Sequence, residues 1–179
     1  LAPISNNCGR IIFRNCEMSL APGAIITSSA DGIHLGSNRF GVIIDNCEFG
    51  NSFDDLINTQ TYSGEITKII NDYTYETSRD MFCSVGDEIK FFNTSNHEIV
   101  GTAFLKEIEK KEDGGYRLTV DRKVYKVLSQ ETSNTPTSMY NLDSANKGNI
   151  IKNSTFKNSR RHAYIIRSAC SIVENNIME

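Results

Sequence analysis

The chain has 179 residues, enough for one domain or for a domain that carries an insertion. Its net charge is −3 and it has no long basic run, which excludes binding to nucleic acid through neutralised phosphates. No apolar stretch approaches the length that spans a bilayer.

Asn (18 residues) and Ile (21 residues) are both abundant, Trp is absent and Pro occurs only 3 times. β-branched residues with many asparagines suit stacked strands joined by tight turns, because Asn tolerates left-handed backbone and bonds its own main chain. The 5 cysteines (Cys8, Cys16, Cys47, Cys83 and Cys170) are odd in number and show no CxxC spacing, so neither a zinc site nor a disulfide framework is expected. The chain opens inside what reads as a repeat, so its start says nothing about compartment.

In chain order, the first predicted strand segment is Ile11–Met18, followed by a loop around Leu20–Gly23 and a second strand at Ala30–Leu35. Val42–Phe49 repeats the first pattern, and Asp54–Thr59 repeats the second. After residues 62–145 the first pattern returns as Asn149–Phe156, then Arg160–Ile166 stands where the second strand would be, and Ser171–Met178 gives the first pattern once more. Each of the four first-pattern segments has an apolar run, one polar residue, Asn at the fifth place and Phe or Met at the eighth. The asparagines are Asn15, Asn46, Asn153 and Asn175, spaced by 31, 107 and 22 residues. The last interval suits one turn of a solenoid, the first a turn with a longer loop, and the middle one a turn plus a long insertion. Alternate apolar side chains fill the interior, and the asparagines form a ladder at the strand spacing of roughly 4.8 Å. Cys16 and Cys47 share one ladder position as small buried fillers.

Within 62–145, Gly86–Phe92, Glu98–Leu105 and Tyr116–Val120 read as antiparallel strands, with the turn Lys111–Gly115 between the last two. The expected fold is therefore all-β: a right-handed parallel β-helix with an inserted small antiparallel β-barrel or sandwich domain. Its parts are residues 1–61, the insertion 62–145 and residues 146–179.

The second strand of each coil carries the chemistry. Aligning Ile33 with Ile57 stacks Asp31 on Asp55 and His34 on Asn58, with Asp54 beside the pair. Two carboxylates held one strand spacing apart repel, and folding alone gives no reason for that. Three clustered carboxylates suit acid–base cleavage of a glycosidic bond, one protonating the leaving oxygen and another activating water. A Ca²⁺ site or solvated corner aspartates are the alternatives; neither a metal nor another cofactor is expected. Strict alternation sends Asp54 and Asp55 to opposite faces, so both serve one site only where the chain bends. Arg160, Arg161, His162 and Arg167 lie one coil further on, and planar cationic donors suit sugar hydroxyls or carboxylates. His34, Asn58, Arg160 and Arg161 are the candidate substrate contacts.

Ser29–Leu35, Asn46–Phe49 and Phe53–Asn58 together resemble the family 110 glycoside hydrolases. The likeness runs on through the insertion into Asn158–Ile166 and Val173–Asn176, and so covers most of the chain in order. The resemblance implies a secreted, periplasmic or cell-surface enzyme without cofactor, an exo-acting and inverting α-galactosidase. Its substrate would be a glycan ending in α-1,3-linked galactose. By similarity Asp54 is the general acid, and Asp31 and Asp55 hold the attacking water. Family members carry more coils on both sides. Polygalacturonases also place Asp-Gly before Asp-Asp, so another β-helix hydrolase, a polysaccharide lyase or a non-catalytic tailspike-like glycan-binding module are the rivals. No Lys beside the aspartates is available to a lyase.

Overall fold

The computed structural model describes residues 3–112 and 114–179. The first boundary expected at residue 1 and one position of the Lys111–Gly115 turn lie outside that range. Among the described residues every regular element is a strand, and no helix is long and apolar enough to cross a membrane.

Seven strands come first: β1 (Ile4–Asn6), β2 (Ile12–Arg14), β3 (Glu17–Met18), β4 (Ile33–Gly36), β5 (Ile43–Asp45), β6 (Glu48–Gly50) and β7 (Ile57–Gln60). Then follow β8 (Ser63–Asn71), β9 (Thr74–Thr77), β10 (Glu88–Asn93), β11 (Glu98–Lys110), β12 (Tyr116–Val120) and β13 (Thr137–Asn141). The last five are β14 (Ile150–Lys152), β15 (Thr155–Lys157), β16 (Tyr164–Arg167), β17 (Ile172–Glu174) and β18 (Ile177–Met178). They form two compact units, Leu1–Thr61 with Ser144–Glu179, and Tyr62–Asp143. Ser144 and Ala145, placed in the insertion from the sequence, thus belong to the first unit.

The first unit consists of three 4-stranded parallel sheets, ordered β1-β4-β7-β16, β2-β5-β14-β17 and β3-β6-β15-β18. The chain visits the sheets in rotation, and the four repeated segments pair residue for residue: Ile12 and Ile150 each sit on Ile43, and Ile150 on Ile172. Asn15, Asn46, Asn153 and Asn175 all have φ between 52° and 54°. A left-handed residue turns the chain from one sheet into the next within two residues, and Asn adopts it at little cost. Asn46 Nδ2 donates to Asn15 Oδ1 at 2.7 Å. The ladder then departs from expectation, because Asn153 Nδ2 donates to Asp45 Oδ1 at 3.0 Å. Between the sheets, Ile33, Leu35, Ile44, Leu56, Ile57 and Ile151 are buried. A file of rings runs across the paired strands, with Phe13–Phe49 at 6.3 Å, Phe49–Phe156 at 6.1 Å and Phe156–Tyr164 at 5.8 Å. Cys47 is buried and unpaired, its Sγ directed at Asp45 O at 3.4 Å, and burial pushes its thiol pKa up.

The second unit is a closed antiparallel barrel, ordered β10-β11-β12-β9-β8-β13 and sealed by the pairing of β13 with β10. Alternation in β10 buries Ile89 and Phe91, which join Ile66, Tyr75, Leu105 and Leu118 in the core. At the turn after β11, Lys111 N–H donates to Gly115 O at 2.8 Å. Glu76 in β9 is buried, yet Lys111 at 2.9 Å and Arg117 at 2.8 Å reach its carboxylate.

Candidate active site

The site lies in the first unit, where the chain bends just before β4, β7 and β16. A serine stands at that bend three times. Ser28 Oγ donates to Asp31 O at 2.9 Å, Ser159 Oγ to His162 O at 2.9 Å, and Ser52 Oγ is shared between Ala30 O at 2.7 Å and Asp55 O at 3.3 Å. Each hydroxyl draws in the carbonyl three residues on and closes the bend. The bends take Asp54 and Asp55 out of strand alternation, so the condition set by the sequence is met. Beyond the bend, the buried pair Ile33 and Ile57 fixes the register, and His34 sits on Asn58. Gly32 lets the neighbouring segments approach: its N–H donates to Asp55 O at 2.8 Å, and a Cβ there would lie 2.6 Å from Leu56 O.

This arrangement brings Asp31, Asp54 and Asp55 together, with an oxygen of each within 4.8 Å of the others. Each carboxylate has its own donors. Asp31 Oδ2 receives Asn58 Nδ2 at 3.0 Å and faces His34 Nδ1 at 2.6 Å. Asp55 Oδ1 receives the His162 backbone N–H at 3.2 Å and faces His162 Nδ1 at 2.8 Å. Asp54 Oδ1 receives the Asp55 backbone N–H at 3.0 Å and Arg161 Nη1 at 3.1 Å. Three local sets of donors relieve the repulsion that stacking creates. All these bonds fall on one oxygen of each carboxylate. Among the described residues the second oxygen of each makes no hydrogen bond, and such a trio suits either a reacting group or a hard cation.

Burial grades the three. The side chain of Asp55 is 3% exposed, that of Asp31 13% and that of Asp54 34%. Asp54 is thus the carboxylate most open to an incoming molecule. It acts first, with Asp55 and Asp31 behind it, to push the Arg161 guanidinium pKa up. Of the other predicted contacts, His34 and Asn58 both point into the cluster, and Arg161 reaches it. Arg160 does not: its guanidinium stacks 4.3 Å over the Phe53 ring, and the two line an open groove with Ile25 and Ile26. Sequence reasoning gave His162 no partner and passed over Gln60, whose Nε2 lies 2.9 Å from His34 Nε2. The serine three places before Asp31, Asp55 and His162 is the signal that would have added His162 to the aspartate column.

No protein-family profile matches the chain. Over 106 residues it is 26% identical to alpha-1,3-galactosidase B of Akkermansia muciniphila, a match that covers 55% of this chain and 13% of that protein. The chain therefore spans a small part of the length of this relative. At this identity the match supports a galactosidase-like relation and no finer assignment.

Proposed function

We propose that the parallel unit is a stretch of right-handed parallel β-helix and that the chain is an exo-acting α-galactosidase of the glycoside hydrolase family 110 type, removing terminal α-1,3-linked galactose. The observation that carries this reading is the convergence of Asp31, Asp54 and Asp55, each with one oxygen anchored and one directed away from protein partners. The partial match to a galactosidase supports the substrate class. Asp54, the most open of the three, gives its proton to the glycosidic oxygen. Asp31 and Asp55, from stacked coils, grip the water that attacks the anomeric carbon and take its proton. Arg161 bonds Asp54 and is 59% exposed, so it can swing to a sugar hydroxyl as galactose arrives. The flat Arg160–Phe53 pair offers a face to the apolar side of a sugar ring.

One observation favours a second reading. The oxygens come within 4.8 Å, closer than the roughly 6.5–9.5 Å usual between acid and base in inverting enzymes. In that reading Asp31 or Asp55 attacks the sugar itself and configuration is retained. Proton NMR of the first product from a Galα1-3Gal disaccharide separates the two. β-Galactose appearing first supports inversion, and α-galactose appearing first establishes retention. Binding without turnover would make the chain a glycan-binding module and end both readings.

A further inference from the structure

His34 stands in a line of hydrogen bonds that ends on Asp31. Arg167 Nη1 donates to Gln60 Oε1 at 3.5 Å, and Arg167 and Gln60 are direct partners in the β16–β7 pairing. A guanidinium only donates, so the Gln60 oxygen faces Arg167 and its amide N–H₂ faces the ring. Gln60 Nε2 then donates to His34 Nε2 at 2.9 Å. That ring nitrogen accepts, and so carries no proton. The opposite nitrogen, Nδ1, lies 2.6 Å from Asp31 Oδ2. A bare nitrogen so near a carboxylate would set lone pair against lone pair, so Nδ1 holds the ring proton and donates it.

We infer that His34 is a positioning residue for Asp31, locked by Gln60 as the neutral Nδ1–H tautomer, and is not a sugar contact. A neutral donor orients the carboxylate without tying it into an ion pair, which leaves it a base. The neighbouring coil shows what this column does. Asn58 stands beside His34 in register and sends its own N–H to the same Asp31 oxygen at 3.0 Å. Two stacked donors thus hold Oδ2 and aim Oδ1. The tautomer is independent of any reaction; the effect on catalysis rests on the galactosidase reading.

Two measurements test the two halves. Two-bond ¹⁵N–¹H correlation spectra of the labelled protein at neutral pH should show His34 with Nδ1 protonated and Nε2 bare. Gln60→Glu, which puts an acceptor where the donor stood, should move a proton onto Nε2. An Nε2–H tautomer or an imidazolium in the unaltered protein overturns the assignment. In kinetics on the α-1,3-galactoside, His34→Ala should lose about 10- to 100-fold in kcat with KM within about twofold. His34→Asn, which restores an N–H at the Nδ1 place, should recover most of the loss. A rise in KM at unchanged kcat, or His34→Asn as impaired as His34→Ala, rejects the positioning role. If the unaltered protein cleaves no galactoside, the functional reading fails separately. The Asp31 carboxyl ¹³C resonance then decides the role: it should move in His34→Ala and stay in His34→Asn, and the same shift in both rejects the idea.

Discussion

Gly32, between Asp31 and Ile33, shows how one missing methyl group shapes the site. A Cβ there would stand 2.6 Å from Leu56 O and 2.8 Å from Met18 Cε. The first obstacle is backbone and cannot swing aside, so Gly32→Ala should cost about 1–3 kcal/mol in urea unfolding and push Asp31 off its partners. Asp54→Asn should lower turnover of the galactoside at least about 100-fold with little change in the unfolding midpoint, because Asp54 is partly open and lies outside the core. A third expectation concerns pH. Lys111, and after it Arg117, hold the Glu76 pKa below the usual carboxylate range. The folded value lies under the unfolded one, so the stabilisation is complete above the unfolded pKa and is lost as pH falls through the folded one. Urea midpoints of Glu76→Gln should therefore trail the unaltered protein at pH 7, and the gap should close as the pH is lowered through the folded pKa of Glu76. At this scale the sequence made part of the site visible. Asp31 over Asp55 and His34 over Asn58 follow from aligning two isoleucines, since strand pairing carries register with it. The different fates of Arg160 and Arg161 were not visible, because they depend on which way a side chain leaves a bend.

Strands were legible where their pattern served one purpose and hidden where it served two. The four segments around Asn15, Asn46, Asn153 and Asn175 combine interior alternation with a left-handed corner, and both leave marks in the residue types. Asn46, at φ 54°, permits a discriminating test. Asn46→Ala should lose about 1–2 kcal/mol, and Asn46→Gly, which keeps the backbone freedom but drops the bond to Asn15, should lose less on the same urea curves. In the barrel only β10, β11 and β12 stood out. β8 alternates for half its length and then exposes Ile69 and Ile70. β9 is buried throughout but contains Glu76, whose charge is answered by residues more than thirty positions away. β13 is largely polar because Asn141 bonds Phe82 O at 3.1 Å and Asp87 at 2.7 Å inside the barrel. Closure into a barrel depends on these three strands, which is why the sequence left barrel and sandwich open.

At the scale of the molecule, the parallel unit is made from two separate stretches of chain whose junction is tight. Gln60 O accepts from Asn146 Nδ2 at 2.7 Å and from Ser37 N–H at 2.8 Å, so the chain leaves and rejoins within bonding distance. Replacing Tyr62–Asp143 by a short Gly/Ser linker should leave the parallel sheets folded, with a β-type circular dichroism spectrum and one cooperative unfolding transition. The same separation sets an order of events in the cell. All six barrel strands lie in one continuous stretch, whereas Asp55 meets His162 only 107 positions later. At ordinary ribosomal speeds of about 5–20 residues per second, that is a wait on the order of ten seconds. Throughout it the nascent carboxylates lack half of their partners, and Leu56 and Ile57 lack the strand that covers them. The candidate site is therefore completed only when β16 emerges, after the whole barrel has been made.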